Sequence, residues 1–73
     1  MLTAREILER AVEKEKSKYR RGAWIISDVK LRHKQSGNIV TAIKVDINGA
    51  YPNTVHTREM AFWYPTGDFE FVD

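Results

Sequence analysis

Few side chains in this sequence could do covalent chemistry, and none stands at a spacing that such chemistry requires. His33 and His56 are the only histidines, and there is no cysteine. Asp46 and Glu59 could join them around a metal, but no second histidine sits at helical spacing and no thiol is present to complete a tetrahedral set. Each histidine therefore reads as a polar strand-face residue. Ser17, Ser27 and Ser36 lie in no recognisable nucleophile elbow, and Asp68 and Glu70 read as exposed charges of a terminal hairpin rather than an acid–base pair. Gly22, Gly37, Gly49 and Gly67 are each accounted for by a helix stop or a turn, which leaves no glycine-rich phosphate loop. The expectation is a protein without enzymatic activity, metal or cofactor.

What remains is recognition chemistry, in the form of basic residues interleaved with aromatic ones. Trp24, Lys30, Arg32, Lys44, Arg58, Met60, Phe62 and Tyr64 are the candidate partner-binding residues. Aromatic residues, Met and Arg are the types that the buried centre of a protein–protein interface enriches. The first reading is therefore an accessory protein that binds another protein or a second copy of itself. The alternative is a nucleic-acid-binding module, in which Trp24, Phe62 and Tyr64 stack on bases while Lys and Arg track phosphates. The basic run Lys18-Tyr19-Arg20-Arg21 would assist it. A formal net charge of only +2 and an acid-rich helix favour the protein partner. Charge is nonetheless uneven: residues 1–34 hold ten Lys and Arg against five Asp and Glu, and residues 35–73 hold two against five.

These residues need elements to position them. Thr3-Ala4-Arg5-Glu6 is a capping box, with Leu2 and Ile7 spaced as a hydrophobic staple. Ala4, Ile7, Leu8, Ala11, Val12 and Tyr19 follow at helical spacing, which predicts a helix over about 3–20 that Gly22 stops. Period-two alternation predicts strands at about 23–34 and 38–47, with Ile25, Val29 and Leu31 facing Ile47, Ile43 and Thr41. The three-residue loop Gln35-Ser36-Gly37 joins them, pairing Lys34 with Asn38 and Asp28 with Lys44. A third strand is expected at about 54–64 and a fourth at about 68–72, joined by Pro65-Thr66-Gly67 so that Trp63 meets Phe69. The third strand is apolar on both faces. If its odd positions pack on the helix, the outer face gathers Trp24, Ile26, Val40, Met60, Phe62 and Tyr64, an apolar patch of the kind that marks an interaction surface.

The resulting architecture is α+β, α-β-β-β-β, with an N-terminal helix on one face of a three- to four-stranded antiparallel meander. A length of 73 residues gives one domain, 1–73, and a hydrophobic share of 42% with charges well mixed gives a folded one. The first residues carry no apolar leader, and no stretch approaches the ~18 apolar residues of a membrane span. With no disulfide framework, a cytoplasmic location is expected.

Overall fold

The structure, a computed structural model, describes residues 1–14 and 18–72. The expected helical course through residues 15–17 lies outside them, as do the side chains of residues 12–14 and of Asp28, and with the last the expected Asp28–Lys44 pair. The chain is α+β, with an N-terminal helix packed on an antiparallel sheet.

Helix α1 runs Ala4–Lys14. Its capping box forms in both directions: the Thr3 amide donates to Glu6 Oε1 at 3.0 Å, and the Glu6 amide donates to Thr3 Oγ1 at 3.2 Å. Such a cap contributes about 1 kcal/mol. Asn53 adds a third tie, its Oδ1 accepting the Ala4 amide at 2.8 Å. Leu2, Ala4, Ile7 and Ala11 are buried against the sheet.

The helix does not reach residue 20, because Lys18–Arg20 is a strand, β1, paired with the start of β2 (Ala23–His33). Arg21 and Gly22 both have positive φ, 54° and 85°. That is the backbone of a two-residue hairpin turn, whose twist matches the strands it joins. Gly22 therefore turns a hairpin rather than stopping a helix.

β2 pairs on one edge with β3 (Ile39–Asp46), and on its other edge with β1 at one end and β6 (Phe69–Phe71) at the other. The β2–β3 register differs from the expected one by one residue near the hairpin, where Leu31 faces Val40, Lys30 faces Thr41 and Arg32 faces Ile39, and by three at the far end, where Ile25 faces Lys44 rather than Ile47. Two-sided pairing explains the shift. The Lys34 amide donates to the Asp68 carbonyl at 2.9 Å, extending the β6 ladder, so Lys34 is not the residue that closes the hairpin. The His33 amide donates to the Asn38 carbonyl instead, and the loop holds four residues with Gly37 at φ 77°.

An irregularity between Ile25 and Val29 then changes which residues point inward. Trp24 and Ile26 face the core before it, Val29 and Leu31 after it. On β3 the inward residues are Val40 and Ala42, then Val45 beyond a second irregularity between Ala42 and Lys44. Bulges bend a strand and re-aim its side chains, and these two curl the sheet around the helix.

The expected strand 54–64 is two strands, β4 (Thr54–Thr57) and β5 (Trp63–Pro65), paired antiparallel with Val55 opposite Tyr64 and His56 opposite Trp63. Its apolar character on both faces is thereby resolved, since one stretch supplies two strands and a turn. The expected pairing of Trp63 with Phe69 does not form. Thr66–Asp68 is a short 3-10 turn that carries the chain from β5, at one end of the strand order, to β6, which pairs β2. Three residues bridge the two ends of the order, so the sheet is curled like a partly open barrel. Thr66, fully buried, fastens this closure: its Oγ1 donates to the Leu2 carbonyl at 2.9 Å, and its amide donates to the Asn53 carbonyl at 3.2 Å.

The register is checked by two neighbouring substitutions. Ala42→Asp places an uncompensated charge in the core and unfolds the protein. Ile43→Asp, at the irregularity and outside the core cluster, leaves it folded. Circular dichroism melts that reverse this order would refute the observed register.

Candidate functional site

The eight residues expected on one outer face do not share one. Trp24, Met60 and Tyr64 are half-buried and pack against the core, as do Ile26 and Val40, which the same face was to contain. The expected apolar patch therefore does not assemble, because the register shift and the β4–β5 reversal turn all of its members but Phe62 inward. Lys30 Nζ donates to Thr41 Oγ1 at 2.8 Å, and Arg32 meets Glu70 across the β2–β6 ladder at 3.2 Å. Arg58 lies in the turn after β4, its amide donating to the Thr41 carbonyl at 2.8 Å. Only Lys44 and Phe62 remain near one another's neighbourhood, on either side of Trp63.

The outward row that does form takes one residue from each of five strands. Lys18 pairs Ile25, Ile25 pairs Lys44, Lys44 pairs His56, and His56 pairs Trp63. At ~4.8 Å per strand the row extends over about 19 Å. The His56 and Trp63 rings lie 5.5 Å apart, tilted at 43°. On this face a cavity of about 540 Å³ opens among Arg20, Arg21, Ala23, Ile25, Lys44 and Trp63, where the β1–β2 turn stands beside the row. No carboxylate lines it, and Lys18, Arg20, Arg21 and Lys44 make no ion pair with a described residue. In a concave site with low-dielectric walls, clustered charge of one sign focuses its field outward.

A second, more apolar hollow of about 270 Å³ adjoins the first across Trp63, lined by Tyr51, Thr54, Phe62 and Trp63. Tyr51 and Phe62 are 66% and 70% exposed. The loop bearing Tyr51 is tied down by Asp46, whose carboxylate accepts from the Gly49 and Tyr51 amides. Gly49 is required there: a Cβ would stand 2.8 Å from the Asp46 carboxylate oxygens and 2.9 Å from the Gly22 carbonyl. One close packing thus holds the basic β1–β2 turn against the aromatic loop.

Glu59 anchors the other loop of the site. Its carboxylate accepts from the Thr41 amide at 2.7 Å and from the Thr41 hydroxyl at 3.1 Å, while that hydroxyl accepts from Lys30. The Thr41 amide is the largest cause holding the Glu59 carboxyl below the usual carboxylate range; desolvation opposes it, and the Thr41 hydroxyl and the Lys30 charge act in the same sense as the amide.

Sequence reasoning found Lys18, Arg20 and Arg21 as a basic turn but set Trp63 in the core and left Tyr51 in a turn-rich loop. No Gly, Pro or Asn marks residues 58–62, so nothing in the sequence announced the reversal that turns Trp63 outward. The catalytic candidates are accounted for locally. Ser36 is bonded to His33 Nδ1 both through its hydroxyl, at 3.0 Å, and through its amide, at 3.3 Å, as part of the hairpin loop. The Ser27 hydroxyl is buried without a hydrogen-bond partner among the described residues. Among the described residues no cluster of three His, Asp or Glu could hold a metal, and no helix is long and apolar enough to cross a membrane.

No protein-family model, curated protein or solved structure matches this chain.

The depressed Glu59 titration sets a sign for stability. A carboxyl with a folded-state value below its unfolded one, about 4.3, stabilises the fold above that value and ceases to as pH falls through the lower one. Glu59→Gln should therefore lower the melting temperature at pH 7, and the deficit should shrink at an acid pH below the usual carboxylate range. An equal deficit at both pH values would show that the charge of Glu59 is irrelevant.

Proposed function

We propose that this protein binds nucleic acid through the outer-face cavity bordered by Lys44 and Trp63. The observation that carries the proposal is the company the cations keep. Arg20, Arg21 and Lys44 converge on one cavity from two strands and a turn, with no carboxylate in its lining and Lys18 on the same strand row beside it. Basic side chains on an ordinary solvated surface are interspersed with acids, as Arg32 is with Glu70. A phosphate backbone is the partner whose charge such a face complements. The protein-partner reading drew on an apolar outer patch whose expected members other than Phe62 lie in or against the core, so less supports it than supports the nucleic-acid reading.

The experiment is fluorescence anisotropy of labelled oligonucleotides at several salt concentrations. Three or four phosphate contacts on a single strand predict an affinity that falls about 20- to 50-fold between 50 and 200 mM salt. Arg20→Glu with Lys44→Glu should abolish binding, whereas Lys34→Glu, in the hairpin loop at the far end of β2, should leave it nearly intact. Absence of binding at 50 mM salt, or equal loss in the double variant and in Lys34→Glu, would overturn the proposal and return the cavity to an acidic protein segment as its occupant.

A further inference from the structure

From the pairing of the cationic cavity with the aromatic hollow we infer that the preferred ligand is single-stranded, with unpaired bases seated on Tyr51, Phe62 and Trp63. This inference rests on the nucleic-acid reading above and adds which form of nucleic acid the site selects. Two of the five large apolar side chains that are strongly exposed, Tyr51 and Phe62, flank Trp63 in the same hollow. Trp63 lines both hollows, so the aromatic ground begins where the cationic ground ends. A single strand has both parts of this pattern in its own chemistry, charge along one side and flat apolar bases along the other. In a duplex the bases are stacked on each other and paired, so it can offer phosphates to Arg20, Arg21 and Lys44 and nothing to Tyr51 or Phe62.

The site is also held ready. Tyr51 sits on a loop fixed by the Asp46 carboxylate, and its carbonyl accepts from Thr54 Oγ1 at 2.6 Å. The Arg21-Gly22 turn rests against that loop, with a built Cβ of Gly22 only 3.9 Å from the Gly49 Cα. Base-stacking and phosphate-binding groups therefore keep their spacing in the unbound protein, which reduces the ordering required on binding. Selectivity among base identities is not expected from such a site, because every base has a stacking face.

The test compares a labelled pyrimidine oligonucleotide with a duplex of the same length, using the intact protein and the variants Tyr51→Ala and Phe62→Ala. Both side chains are largely exposed, so folding should be retained, with circular dichroism as the check. The intact protein should bind the single strand at least tenfold more tightly. Each aromatic variant should weaken single-strand binding by about 5-fold or more while leaving duplex affinity and the salt slope unchanged. Equal affinity for the two forms, or aromatic variants that bind the single strand normally, would overturn the single-strand assignment. Should Arg20→Glu with Lys44→Glu still abolish binding in that event, the nucleic-acid reading would stand alone. Failure of the intact protein to bind either form would remove both.

Discussion

Everything in this fold is constrained by the demand that β2 be hydrogen-bonded along both edges. One edge is shared by β1 and β6, the other is taken by β3. Because alternate amides of a strand point to opposite edges, a strand paired on both sides has no freedom to slip. His33 and Lys34 show the consequence at the strand's end, one donating to Asn38 and the next to Asp68. That alternation fixes the hairpin loop at four residues, and through it the set of β3 residues that face the core.

The helix was fully legible at its start and not at its end. Thr3, Glu6, Leu2 and Ile7 act within a single turn, so local chemistry decides them, and the structure places them as their types require. The turn at Arg21-Gly22 was misread because a glycine after a basic run suits a helix stop as well as a hairpin. The choice rests on β2, whose edge offers β1 a place. The strand register failed for a similar reason. Period-two alternation in Ile39–Ile47 favours the odd residues, yet Val40 and Ala42 are inside, and the change of parity before Val45 lies in a bulge that no residue type advertises. Apolar pattern alone could not choose between 54–64 as one strand or two, since the hydrogen bonds of Arg58 and Glu59 that shape the turn are with Thr41, far away in sequence.

The candidate site follows from these long-range decisions. Lys44 was selected from sequence and lies at its centre, but its companions were wrong because the face was. Trp24 and Tyr64 have the right chemistry for a ligand and the wrong location, half-buried in the core; Trp63 has both. Its exposure depends on β5 running back along β4, which puts Tyr64 opposite Val55 inside and Trp63 opposite His56 outside. Neighbouring aromatic residues thus go one to the core and one to the candidate site, divided by the pleat of a three-residue strand.

The turn that carries Arg21 bears on how the protein could change over time. A positive φ of 54° costs an arginine about 1 kcal/mol or more, whereas asparagine or glycine would occupy the same backbone with little strain. Selection for folding alone would replace it, and selection for charge at the rim of the cavity would retain it. Arg21 is thus a point where robustness and purpose pull apart: a chain drifting without its ligand would shed the arginine early and become more stable as it did so.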